Sequence, residues 1–92
     1  MIYAFRSKKM IFFDNIKKKI NKKINPENLI LIDNSHLHRK HKSFDENKFH
    51  LKIIIKSKKL KNMNKIIAHK EIFSILKDEM NTKIHALEIE IN

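Results

Sequence analysis

The chain of 92 residues contains no cysteine. That excludes disulfides and thiolate chemistry of its own, so any soft metal centre it joins takes its sulfur from a partner. Glycine is also absent, which removes the phosphate-cradling loops of P-loop and dinucleotide-binding proteins. Only Arg6 and Arg39, among 21 basic residues, are arginine, the side chain best suited to bidentate reading of guanine or phosphate. No apolar run approaches the length of a membrane span. Residues 1–9, MIYAFRSKK, have no apolar core long enough for a secretory signal. They are basic and free of acids, so a fragment of a transit peptide stays open. The simpler reading makes 1–9 a basic upstream extension and starts the domain at Met10, running over 10–92. Paired carboxylates in an apolar setting are missing. Ser35 and His36 do not make a nucleophile and base, because neighbours in an extended segment point in opposite directions and no acid orients them. The expectation is a protein that is not an enzyme.

What is present is lysine, isoleucine and asparagine, which together make up half of the chain, with a net charge of +11. An A/T-rich coding sequence produces this bias. The charge is read mainly as a solvated face that favours loose, salt-sensitive contact with polyanions. A chain of this length forms one domain with a modest core and no deep cleft between domains.

The pattern along the chain is α-β-β-α-β. Over 10–24, Phe12 or Phe13, Ile16, Ile20 and Ile24 recur every four residues with lysines on the other sides, which predicts a helix packed on a sheet. Binding of this basic amphipathic helix to a membrane surface is the alternative. Pro26 ends it. An apolar strand follows over 29–33, then a long polar loop over 34–48 that carries His36, His38 and His41. Over 49–56 Phe49, Leu51, Ile53 and Ile55 alternate with His50, Lys52, Ile54 and Lys56, the signature of a half-buried strand. A basic connector leads to a helix capped by Asn64, with a stripe of Ile66, Ile72, Phe73, Leu76 and Met80 that includes His69. Asn81 and Thr82 make a turn before a strand over 84–91. There His85, Leu87, Ile89 and Ile91 share one face, and Ile84, Ala86, Glu88 and Glu90 the other. The expected fold class is α+β: one small domain with a three-stranded mixed sheet and both helices on one face. The last two strands are parallel through a crossover, and the first two antiparallel.

The histidines are the remaining chemical signal. His69, within an apolar stripe, reads as a buried hydrogen-bonded ring or as a ligand held at a helix end. In an extended loop His36 and His38 point the same way and can reach one ion. Neutral imidazole suits zinc, copper, iron or nickel.

Several segments in order resemble the BolA family over about 10–91. They are Ile32-Asp33-Asn34-Ser35-His36-Leu37-His38, Phe49-His50-Leu51-Lys52-Ile53, Ile67-Ala68-His69-Lys70-Glu71-Ile72-Phe73, Leu76-Lys77-Asp78-Glu79-Met80 and Ile84-His85-Ala86-Leu87. The resemblance implies a fold like the type II KH domain. It also implies a partner, a monothiol glutaredoxin, with a [2Fe–2S] cluster shared between the two proteins and glutathione. Glutaredoxin cysteine and glutathione would supply sulfur, while His69 and His38 would supply nitrogen, with His36 and His41 as less favoured substitutes for His38. His50 and His85 match family positions and are read as structural groups or as supports behind the ligands. The family's second implied role is DNA-binding transcriptional control of stress response and cell shape. It uses a helix-turn-helix-like segment over 58–76, here with Lys58, Lys59, Lys61, Lys65 and Lys70. The family's Arg-His-Arg is Ala68-His69-Lys70 here, which removes an expected contact to an acid, phosphate or glutathione. The usual glycine before the helix is Asn62, which can adopt a left-handed conformation. A homodimer stays open. The absence of disulfides suits a reducing compartment, the cytoplasm first, with organelle import not excluded.

Overall fold

The computed structural model describes residues 7–35 and 48–92. The order is α1 (Lys8–Lys23), β1 (Asn28–Asp33), β2 (Phe49–Lys56), α2 (Lys58–Lys61), α3 (Lys65–Ile75), α4 (Lys77–Thr82) and β3 (Ile84–Ile91). The sheet runs β1-β2-β3, with β1 antiparallel and β3 parallel to the central β2. This is the small α+β domain with a mixed sheet that the pattern predicts.

Helix α1 begins at Lys8, inside the segment set apart as an extension. Ser7 caps it by accepting the Met10 N–H at 3.1 Å. Its four-residue spacing works as expected: Phe12, Ile16, Ile20 and the C-cap Ile24 are buried in the core. The stripe that a membrane surface would need is therefore already covered by protein. Asn25 ends the helix at φ 53°, the one positive φ among the described non-glycine residues. Asparagine tolerates this conformation better than most. The amides of Ile24 and Asn25 both donate to the Ile20 carbonyl, at 2.8 and 3.4 Å.

Leu51, Ile53 and Ile55 of β2 are at most 2% exposed and form the middle of the core. Leu87, Ile89 and Ile91 lie beside them on β3. The expected faces of β3 fail at its start. Phe49 pairs with Ile84, but His50 pairs with Ala86, so His85 is an extra residue in a bulge. A bulge changes the parity of everything before it. Ile84 is buried rather than sharing a face with Glu88 and Glu90, and His85 is exposed rather than apolar-facing.

The main helix is broken in two. Leu76, fully buried, has φ −100° and ψ 19° and separates α3 from α4. The spacing of Ile72, Leu76 and Met80 runs straight through the break, so periodicity does not reveal it. The break brings Glu79 to Lys19 of α1, with Nζ–Oε distances of 2.8 and 2.7 Å. Asn81 and Thr82 belong to α4, and Lys83 alone joins it to β3.

The face that α3 turns to the core also differs from the expected stripe. Ala68, Ile72 and Leu76 are wholly buried, whereas Ile66 is 67% exposed, Ile67 55% and Phe73 39%. Apolar residues occur almost all round this helix, so the pattern leaves its rotation undetermined. The small Ala68 is wholly enclosed on the core side of α3.

Candidate metal and partner site

His69 sits one residue beyond the buried Ala68, at the border between the core face of α3 and solvent, and is half-buried. Its Nδ1 lies 2.8 Å from the Lys65 carbonyl one turn earlier. A carbonyl only accepts, so Nδ1 carries the proton and donates. In the neutral ring Nε2 then holds the lone pair, and no described residue hydrogen-bonds to it. The ring is pinned by one nitrogen and presents the other, the arrangement in which imidazole serves as a metal ligand. Of the buried, hydrogen-bonded alternative only half is met: the ring is hydrogen-bonded but not buried.

Two depressions meet at this ring. One is a cleft of about 400 Å³ between α2–α3 and β3, bordered by Leu60, Met63, Lys65, Ile89 and Glu90. The other is an open groove of about 340 Å³ along α3, formed by Lys65, Ile66, Lys70 and Phe73. Ile66 and Phe73 thus make an exposed apolar ridge beside the imidazole, while Ile67, also exposed, lies on the other side of α3. The stripe analysis placed two of these in the core. The signal it passed over is the run Ile66-Ile67-Ala68, because three consecutive helical residues cannot share one face.

The lysines of the helix-turn-helix-like segment are all exposed. Lys61 and Lys65 border the β3 cleft and Lys70 the α3 groove. Lys59 Nζ is 3.8 Å from Glu71 Oε1, and the Lys58 N–H donates to Glu27 Oε2 at 3.2 Å. Two details correct the sequence reading. Asn62 is right-handed, at φ −83° and ψ −10°, and the turn closes through the Met63 N–H on the Leu60 carbonyl at 3.2 Å. Ala68 is wholly buried, so its side chain occupies core rather than surface.

The family model described as BolA-like protein matches residues 20–92. The chain belongs to the BolA family. The DNA-binding transcriptional regulator BolA of Haemophilus influenzae is 34% identical over 76 residues, which cover 83% of this chain and 71% of that protein. Among solved structures, the BolA domain of SufE1 from Arabidopsis thaliana matches with a TM-score of 0.74 at 28% identity, over 97% of this chain and 94% of that one. BolA1 from the same plant matches with a TM-score of 0.72 at 28% identity, over 85% and 86%.

The other histidines of this BolA domain divide into two groups. His50 is buried and His85 exposed, with ring centroids 5.0 Å apart and planes tilted by 41°. The bulge in β3 produces this pair. The second expected ligand, His38, and its substitutes His36 and His41 lie outside the described residues. Where β1 ends, Asp33 Oδ1 accepts both the N–H and the hydroxyl of Ser35, and Ser35 Oγ accepts the His50 N–H at 3.2 Å. Burial works to raise the Asp33 pKa, but the Ser35 bonds and the Lys9 ammonium, 3.6 Å away, outweigh it and hold the carboxyl below its ordinary value. No three His, Cys, Asp or Glu groups converge for a metal among the described residues, and no described helix is long and apolar enough to cross a membrane.

Proposed function

We propose that this BolA domain is a non-enzymatic adaptor that pairs with a monothiol glutaredoxin and helps to hold a [2Fe–2S] cluster shared with it. The observation that carries this reading is the His69 ring, with Nδ1–H held by the Lys65 carbonyl and Nε2 unengaged at the meeting of two depressions. The residues fit a cluster completed from outside. This chain has no sulfur donor beyond methionine, and one described imidazole cannot close a metal site alone. His69 is the principal nitrogen ligand and His38 the second, with glutaredoxin cysteine and glutathione as sulfur donors. When bound, a cluster with imidazole in place of thiolate supplies a redox centre of raised potential that is suited to transfer or iron sensing. The chain's own part is to fix the ring. The Ile66 and Phe73 ridge supplies apolar area for the partner beside the ligand. A protein of this kind works in a reducing compartment, the cytoplasm first.

The test mixes apo protein with cluster-loaded glutaredoxin and glutathione, followed by visible circular dichroism and gel filtration. A new spectrum and a heterodimer, lost chiefly with His69→Ala and more weakly with His38→Ala, are expected. An unchanged glutaredoxin spectrum and size with wild-type protein would overturn the reading.

A second reading, a DNA-binding regulator, draws support from the name of the Haemophilus relative and from the exposed Lys58, Lys59, Lys61, Lys65 and Lys70 on α2 and α3. Sequence-selective, salt-sensitive binding of DNA by the metal-free protein at physiological salt distinguishes it from the adaptor.

A further inference from the structure

Strand β3 has one neighbour, β2, so half of its backbone groups face away from the sheet. The Asn92 N–H donates to the Ile55 carbonyl at 2.8 Å, and the Asn92 carbonyl accepts the Ser57 N–H at 3.2 Å. Both backbone groups of Asn92 therefore point at β2. This orientation alternates with period two along a strand, and the register is unbroken from His50↔Ala86 to Ile55↔Ile91. The N–H and C=O groups of Leu87, Ile89 and Ile91 consequently point to the open edge. No described residue bonds to them there.

The 400 Å³ cleft runs along this edge. It is bordered by four consecutive residues, 88–91. Successive strand side chains point to opposite faces, so only the edge itself presents all four to one space. We propose that this edge accepts an extended segment of a partner protein, apolar and acidic on its helix-facing side, as a fourth strand of the sheet.

The hydrogen-bonding chemistry selects the occupant. Donors and acceptors repeating at every second residue match an extended polypeptide. Leu60, Met63 and Ile89 receive apolar side chains in the cleft. Lys61 and Lys65 border it and have no acidic partner among the described residues, whereas Glu88 and Glu90 lie 3.8 and 3.9 Å from Lys52. Lys52 carries one charge against two glutamates, so Lys52, Lys61, Lys65, Glu88 and Glu90 together leave +1, and this net positive charge favours an acidic segment. A second copy pairing through its own β3 would set Glu88 and Glu90 against the same glutamates, which disfavours it. His69 also borders this cleft, but the backbone bonds and charges of this contact need no metal.

The test uses isotope-labelled, metal-free protein and the peptide acetyl-Glu-Thr-Val-Thr-Val-Thr-Glu-amide. Amide hydrogen exchange at Leu87, Ile89 and Ile91 is fast in the free protein and slows about tenfold or more on saturation. The Lys61→Glu, Lys65→Glu double variant binds about fivefold more weakly or worse. Ile89→Pro removes one outward N–H without touching the β2 ladder and weakens binding while the spectrum stays folded. A peptide with proline at its central threonine does not bind. Three results would overturn the proposal: no protection at about 1 mM peptide, equal binding when lysine replaces both peptide glutamates, or these amides already protected in the free protein. Cleft occupation by a thymidine oligonucleotide but not by the peptide would do the same. Because the assay is free of metal, its failure leaves the cluster reading standing, and loss of the cluster spectrum leaves this one untouched.

Discussion

Replacing Ile72 and, separately, Ile66 by alanine tests the rotation of α3, on which the placement of His69 depends. The chemistry of the two changes is identical, and only burial differs: Ile72 is fully buried and Ile66 is 67% exposed. Ile72→Ala removes three carbons from the core at about 0.8 kcal/mol each, and the cavity left behind raises the loss to about 3–4 kcal/mol. Unfolding entropy of about 2.1 cal/mol/K per residue over this chain converts that to a fall in Tm of about 15–20 °C. At Ile66 little apolar area leaves the protein, and alanine is the better helix former by about 0.4 kcal/mol. Stability there stays within about 0.5 kcal/mol of wild type, and Tm within about 3 °C. Urea unfolding followed by far-ultraviolet circular dichroism measures both. If Ile66→Ala cost more than half as much as Ile72→Ala, Ile66 would have to face the sheet. The exposed ridge around His69 would then not exist.

Two other outcomes follow from single residues. Asp33 has a lowered folded pKa, so it contributes stability above the ordinary carboxylate value, and that contribution is lost as pH falls through its own lower value. Asp33→Asn flattens this part of the acid limb of a stability–pH curve, and an unchanged limb would show that the Ser35 and Lys9 contacts are not kept in solution. At Asn25, φ 53° favours glycine, so Asn25→Gly raises stability by up to about 1 kcal/mol and Asn25→Ala lowers it by about as much. Equal melting temperatures for the two variants would refute the left-handed assignment.

The order of elements was legible because it is local. Four-residue spacing marked Ile16 and Ile20 as the buried side of α1 and left Phe12 or Phe13 open, which the core decides for Phe12, and two-residue alternation marked Leu51, Ile53 and Ile55 as the inner side of β2. Asn64 was legible as a cap from its place before an apolar run, and it accepts the Ile66 N–H at 2.9 Å. His69 stood out as a polar ring among apolar neighbours. These features depend on residues a turn or two apart, and the repeat of a helix or strand encodes them directly.

Tertiary structure alone decided the rest. Periodicity says that α3 has apolar residues but not which of them meets the sheet. Packing of Ala68, Ile72 and Leu76 into the core chooses, and it turns Ile66, Ile67 and Phe73 outward. The bulge that exposes His85 beside His50 arises from matching β3 to β2, where the pairs on either side of His85, Phe49↔Ile84 and His50↔Ala86, join residues 35 and 36 positions apart. The break at Leu76 is tied to the Lys19–Glu79 ion pair, which joins residues 60 positions apart. The lone pair of His69 Nε2 and the open backbone of Leu87, Ile89 and Ile91 depend on which neighbours each group lacks. The amino-acid sequence by itself determined the order of helices and strands and the apolar faces of α1 and β2. Only the packed chain decided which of those groups stay available to a partner, because availability depends on what long-range contacts have already covered.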